Sequence, residues 1–110
     1  MDIFSALADP NRRTIIEMLA RKGQLSASDI YGRFNVSPPA VSQHLKILRD
    51  ARLVSVEKKA QQRLYTINPD KFTELESWVR KLQDMWNVRF DRLEKVLSLE
   101  KGGKIWKKKI

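Results

Sequence analysis

Ser42, Gln43 and Lys46 lie in one short stretch, SPPAVSQHLKILRDARLV (residues 37–54), whose apolar residues recur at helical intervals. With Val41 as the inward reference on a wheel of about 100° per residue, Leu45 and Leu48 fall beside it. Pro39, Ser42, Gln43, Lys46 and Asp50 then point away. A serine hydroxyl and a glutamine amide can hydrogen-bond to the edges of base pairs, and a lysine can reach guanine or a phosphate. Asp50 would be repelled by phosphate and marks where such a helix leaves a groove. The same face would also suit open water or a partner protein, so its neighbours must decide its use.

Other chemistry is scarce. His44, the single histidine, stands three residues after Val41 on the border of the apolar stripe. It has no second histidine and no cysteine to join it, so no metal site and no cofactor are expected. Packing against a neighbouring helix, with one ring N–H given to the backbone or to a phosphate, is its expected role. No glycine-rich phosphate loop and no nucleophile beside a base is present, so the chain does not read as an enzyme.

The elements around this stretch give it a context. Residues 3–8 read as a short helix with Ile3, Phe4 and Leu7 on one side. In DPNRRTIIEMLARKG, Asp9 caps, Pro10 takes the first helical position and Gly23 follows the end, with Ile15, Ile16, Leu19 and Ala20 as the core stripe. SASDIYGRF follows, with Ser26 or Ser28 as cap and Ile30 and Phe34 one turn apart. NVS then turns the chain into the 37–51 helix, where Ser37 caps; two short helices so joined form a helix-turn-helix. LVSVEKKAQQRLYTIN next changes to an alternating, β-prone pattern, a hairpin with a polar tip that would form the wing of a winged helix.

From Pro69 the pattern is helical again. Leu75, Trp78, Val79, Leu82, Met85, Trp86, Phe90 and Leu93, with Val96 and Leu97 beyond, keep one face through residues 70–98. Such a helix is about 40 Å long, more than a small domain needs to cover its own core. Its aromatic stripe suggests a subunit interface; the alternative is a helix folded back on its own domain. The expected fold is therefore mainly α with a small β-hairpin (α+β), five helices plus a wing, in a domain over residues 1–98.

Net charge favours a polyanionic partner at +9, but the last ten residues hold five lysines and no acid. Residues 1–100 carry only +4, so charge alone does not prove a DNA-binding domain. Residues 99–110 read as a basic, disordered tail; KIWKKKI is too short for stable membrane anchoring. The opening MDIFSALADP lacks the basic region and apolar core of a secretory signal, and no apolar run approaches a span of about 18–20 residues. A cytoplasmic protein without membrane association is expected.

Taken together, FSALADPNRRTIIEMLARKGQLSASDI, SPPAVSQHLKILRDARLV and RLYTINP resemble the ArsR (arsenical-resistance repressor) family of winged-helix regulators over roughly residues 3–97. The resemblance implies a homodimer joined through its first and last helices, the face of Ile3, Phe4 and Leu7 with that of Leu75 to Leu93. It implies two 37–51 helices in successive major grooves of an inverted-repeat operator, and a repressor, here of its own operon, released by a signal. Pro39, Ser42, Gln43 and Lys46 would read bases. Arg12, Arg13, Ser37, His44, Lys58, Lys59, Gln61, Gln62 and Arg63 would hold the backbone of double-stranded DNA.

The departures from the family pattern sharpen these expectations. Metal-sensing members carry Cys-x-Cys where this chain has Ser26 and Ser28, and others use histidines absent from residues 70–100. LESWVRKLQDMWNVRFDRLEKVL instead resembles a subgroup without metal sites, with room for a small-molecule or protein effector near Trp78 and Trp86. The wing tip lacks the family's usual glycine, and Ala60 in its place suggests a longer or looser turn. The competing reading is a winged-helix protein-interaction module with only non-specific DNA affinity.

Overall fold

The computed structural model describes the backbone of residues 2–101 and the side chains of residues 2–97. Among the described residues five helices and a small antiparallel sheet follow one another: α1 (Ile3–Leu7), α2 (Pro10–Lys22), β1 (Leu25–Ser26), α3 (Ala27–Tyr31), α4 (Pro38–Asp50), β2 (Val54–Lys59), β3 (Gln62–Ile67) and α5 (Pro69–Lys101). The chain divides into two compact units, one ending at Thr73 and one beginning at Glu74. The first holds the winged helix-turn-helix; the second is the greater part of α5.

Side-chain oxygens start most of these helices. The Asp2 carboxylate accepts from the Ser5 backbone N–H at 2.7 Å. Asp9 accepts from the Asn11 N–H at 2.7 Å and the Arg12 N–H at 3.3 Å, with Pro10 just inside the start of α2. Ser26, not Ser28, caps α3: its hydroxyl accepts from the Asp29 N–H at 3.1 Å, and the Asp29 carboxylate accepts from the Ser26 N–H at 3.2 Å. That reciprocal pair satisfies two amides which a helix start otherwise leaves unpaired. Ser37 accepts from the Ala40 N–H at 3.4 Å to open α4.

The core of the first unit gathers Ala6, Ile15, Ile16, Leu19, Leu25, Ile30, Val41, Leu45, Leu48, Ala51, Leu53, Val54 and Tyr65. Val41, Leu45 and Leu48 are its contribution from α4, as the wheel predicts. Ala20, expected in the α2 stripe, is exposed, since it sits at the stripe's margin; Met18 is partly buried in its stead. Helix α3 is shorter than the sequence pattern suggests because Gly32 ends it, and Phe34 packs against the core from the connecting turn.

The junction between α4 and the wing is tightly specified. The Leu53 N–H donates to the Leu48 carbonyl at 3.0 Å and the Arg52 N–H to the Arg49 carbonyl at 2.9 Å. With Arg52 at φ +63°, this is a Schellman motif, with buried Leu48 and Leu53 as its apolar pair. Asn68 locks the far end of the wing to it, donating its side-chain N–H to the Arg52 carbonyl at 2.8 Å and its backbone N–H to the Leu53 carbonyl at 3.0 Å.

The sheet order is β1-β3-β2, with β3 paired to both neighbours. Register runs from Val54 opposite Ile67 to Lys59 opposite Gln62, and Leu25 lies opposite Tyr65. The third strand, β1, is two residues long, too short for any periodic signal. The wing tip corrects the expectation of a looser turn: Lys59 pairs with Gln62, so only Ala60 and Gln61 lie between the strands. Ala60 achieves this by adopting φ +56°, a region that costs a residue with a Cβ about 1–2 kcal/mol.

Helix α5 runs to Lys101, beyond the expected end at residue 98, so residues 99–101 of the expected tail are helical. The rest of that lysine-rich tail lies outside the described residues. Phe72, near the start of α5, packs against the first unit's core.

Candidate nucleic-acid interface

Helix α4 presents the predicted face. Pro39, Ser42, Gln43, Lys46 and Asp50 are all exposed, and His44 is half-buried at the stripe's border. A groove of about 250 Å3 gathers Pro39, Ser42, Gln43 and Lys46 with Ala27 and Tyr31 of α3, Arg49 of α4, and Arg63 and Tyr65 of β3. The base-reading candidates thus share one concave surface with the wing. A second, smaller groove of about 200 Å3 brings Gln61, Gln62 and Arg63 beside Ser26, Ala27 and Ser28.

Four residues of the first groove escaped the sequence reading: Ala27, Tyr31, Arg49 and Tyr65. Arg49 continues the Ser42 row at i+7, a spacing the wheel could have flagged. Tyr31 stands 2.7 Å from Ser42, hydroxyl to hydroxyl, and no spacing signal predicts that pair because it joins two helices.

Arg12, Arg13 and His44 are engaged within the protein. Arg12 donates from Nε to the Ala6 carbonyl at 2.6 Å and from Nη2 to the Ser5 carbonyl at 3.2 Å. Arg13 donates from Nη1 to the carbonyls of Leu7 at 2.7 Å and Ala8 at 3.0 Å. Both arginines therefore secure the carbonyl end of α1, where a helix leaves acceptors unpaired. Arg12 Nη1 also lies 3.3 Å from His44 Nδ1. A guanidinium can only donate, so Nδ1 accepts and the ring carries its proton on Nε2. That leaves the Nε2–H for any outside acceptor. Desolvation pushes the nearby Asp9 carboxyl upward, but the Asn11 and Arg12 N–H groups, with the charge of Arg12, hold it below its ordinary value.

Ser37, Lys58, Lys59, Gln61, Gln62 and Arg63 are exposed. The tight turn places Lys58, Lys59, Gln62 and Arg63 on paired strands rather than on a loose loop. This gives the wing's cations fixed positions along the β2–β3 ladder.

Most of the aromatic stripe of α5 is exposed. Trp78, Val79, Leu82, Met85, Trp86 and Leu93 are exposed, Met85 by 63% and Trp86 by 56%. Leu75 and Phe90 are half-buried, and Trp86 meets Phe90 edge-on with ring centroids 5.5 Å apart. Arg89 falls inside the same stripe, three residues from Trp86 and four from Leu93. On α1, Phe4 is half-exposed, whereas Ile3 and Leu7 lean on the core. Among the described residues no cluster of three or more His, Cys, Asp or Glu side chains could hold a metal ion. None of the described helices is long and apolar enough to cross a membrane.

A helix-turn-helix with a wing and an exposed polar recognition face has counterparts among known proteins. The profile of the family described as "Bacterial regulatory protein, arsR family" matches residues 9–56. The chain is 36% identical over 78 residues to the transcriptional repressor SdpR of Bacillus subtilis, spanning 71% of this chain and 86% of that protein. The chain belongs to the arsR family. It is also 40% identical over 84 residues to the HTH-type transcriptional regulator Rv2034 of Mycobacterium tuberculosis, spanning 72% of this chain and 78% of that one. Among solved structures, the ArsR family transcriptional regulator RHA00566 superposes with a TM-score of 0.71 at 32% identity, covering 77% of this chain and 87% of its own. This ArsR-family chain is thus a DNA-binding transcriptional regulator, and its relatives are named as regulators rather than enzymes.

Proposed function

We propose that this ArsR-family regulator is a homodimeric repressor of its own operon, acting in the cytoplasm on an inverted-repeat operator. The observation that carries the reading is the shared groove: Ser42, Gln43 and Lys46 on α4 face the same concavity as Arg63 of the wing. In each protomer α4 enters a major groove, Gln43 makes a bidentate contact with adenine, and Lys46 reaches guanine or phosphate. The wing's Lys58, Lys59 and Arg63 hold the backbone, with Gln61 and Gln62 at the tip. Ser37 and the His44 Nε2–H add phosphate contacts, while Arg12 and Arg13 act chiefly by fixing α1.

The exposed stripe of α5, from Leu75 through Trp86 to Leu93, joins the two protomers with the help of Phe4. An uncovered apolar face this long on a monomer favours association. Residues 1–98 form the functional domain, and the lysine-rich remainder adds non-specific attraction. SdpR is named as a repressor, which supports that sign of regulation.

Sedimentation of the protein with duplexes chosen from a random pool tests this reading. Two chains per duplex, with half-sites about one helical turn or a multiple apart, would uphold it. A monomer that binds every duplex alike would favour the protein-interaction module.

A further inference from the structure

We infer that Tyr31 is a positioning residue for sequence reading: its phenol sets the Ser42 hydroxyl as a donor, so Ser42 faces an acceptor edge of one base. The inference rests on the reading that α4 lies in the major groove. Tyr31 ends α3, and its ring is partly buried against the core while its hydroxyl stands 2.7 Å from Ser42 Oγ. The packed ring leaves the phenol few alternative positions.

The direction of that bond follows from acidity. A phenol is a stronger acid than an alcohol, and its oxygen lone pairs are drawn into the ring, so Tyr31 donates and Ser42 accepts. Each hydroxyl has one proton and two lone pairs. Once Ser42 has accepted, its own proton is free for a third group, and a chain of donors polarises in one direction, strengthening that donation. The groove into which this hydroxyl opens also holds Pro39, Gln43, Lys46 and Arg49, so it is the surface presented to the base pairs.

In the major groove purine N7, guanine O6 and thymine O4 accept, whereas adenine N6 and cytosine N4 donate. A lone serine can satisfy either kind of edge. Ser42 held by Tyr31 favours the acceptors, so the pair reads a distinction that Ser42 alone would not.

Selection from a random duplex pool by the full-length wild type, Tyr31→Phe, Ser42→Ala and the double variant tests this, with competition anisotropy to quantify each position. The wild type is expected to prefer an acceptor-bearing base at one position of each half-site by about tenfold. Tyr31→Phe should keep affinity for the preferred duplex within about threefold but reduce that preference to about twofold. Ser42→Ala should lose preference at the same position, and the double variant should add nothing further. Tyr31→Phe overturns the inference if it weakens all duplexes alike, leaves the preference unchanged, or alters a position that Ser42→Ala does not. A wild type that selects no sequence would instead overturn the placement of α4 in the groove, and this inference with it.

Discussion

At the scale of single residues, the side chains that face DNA in this account differ from those that set the geometry. Gln43 is exposed on the outer face of α4, so Gln43→Ala should leave stability unchanged. It should cost about 1–3 kcal/mol of discrimination between preferred and mismatched duplexes, read by competition binding. Asp9 works on folding instead. Because its folded-state carboxyl is held below the ordinary value, its contribution is complete above the unfolded pKa and fades as pH falls through the lower folded one. Asp9→Ala should cost about 1 kcal/mol near neutral pH, while Asp9→Asn should keep the cap and flatten the acid limb of stability in urea melts. The α4 face was legible from its residues because a period of 3.6 fixes which side chains point outward. The engagement of Arg12 and Arg13 with α1 was not, because long side chains choose among partners that only the folded backbone brings near.

Among the elements, the wing departs most from the sequence expectation. Loss of the tip glycine suggested a longer turn, yet the ladder of β2 and β3 is strong enough to hold Ala60 at φ +56°. Ala60→Gly should therefore raise stability by about 0.5–1 kcal/mol, since the relief of strain exceeds the added entropy of the unfolded chain. Thermal melting would show it as a higher Tm with DNA affinity retained. The α2 and α4 starts were readable from Asp9 and Ser37, whose side-chain oxygens cap wherever the following residues suit a helix, whereas the Asp2 cap of α1 emerged only in the structure. Strand β1 was hidden because Leu25 and Ser26 gain their pairing wholly from Tyr65 and Leu64, about forty residues away in the chain. The end of α3 was set by Gly32, a signal that the Ile30–Phe34 spacing masked.

For the whole molecule, α5 and the DNA surface carry separate predictions. Trp86→Glu would place a charge in the centre of the exposed stripe, and the proposed dimer should weaken about 100-fold or more by sedimentation equilibrium. Arg89 within that stripe is a polar residue at a seam, the kind that fixes register at some cost in stability, so Arg89→Leu should tighten association. The length and apolar face of α5 were plain in the sequence; the identity of an effector was not, because no set of ligand-type side chains marks one. Operator binding should show a log–log salt slope of about −5 to −7 for six to eight neutralised phosphates. Lys58→Ala removes one phosphate contact from each protomer, so it should weaken every duplex alike and flatten that slope by nearly two units.

The central claim is that the polar face of α4 reads DNA sequence. It is tested most directly by titrating the protein into a labelled duplex from immediately upstream of its own gene, with a scrambled duplex alongside, at two salt concentrations. Nanomolar binding, two chains per site and a preference of about a thousandfold or more over the scramble, reduced in Gln43→Ala, is the predicted result. Equal, weak binding to both duplexes, unchanged by Gln43→Ala, would contradict it.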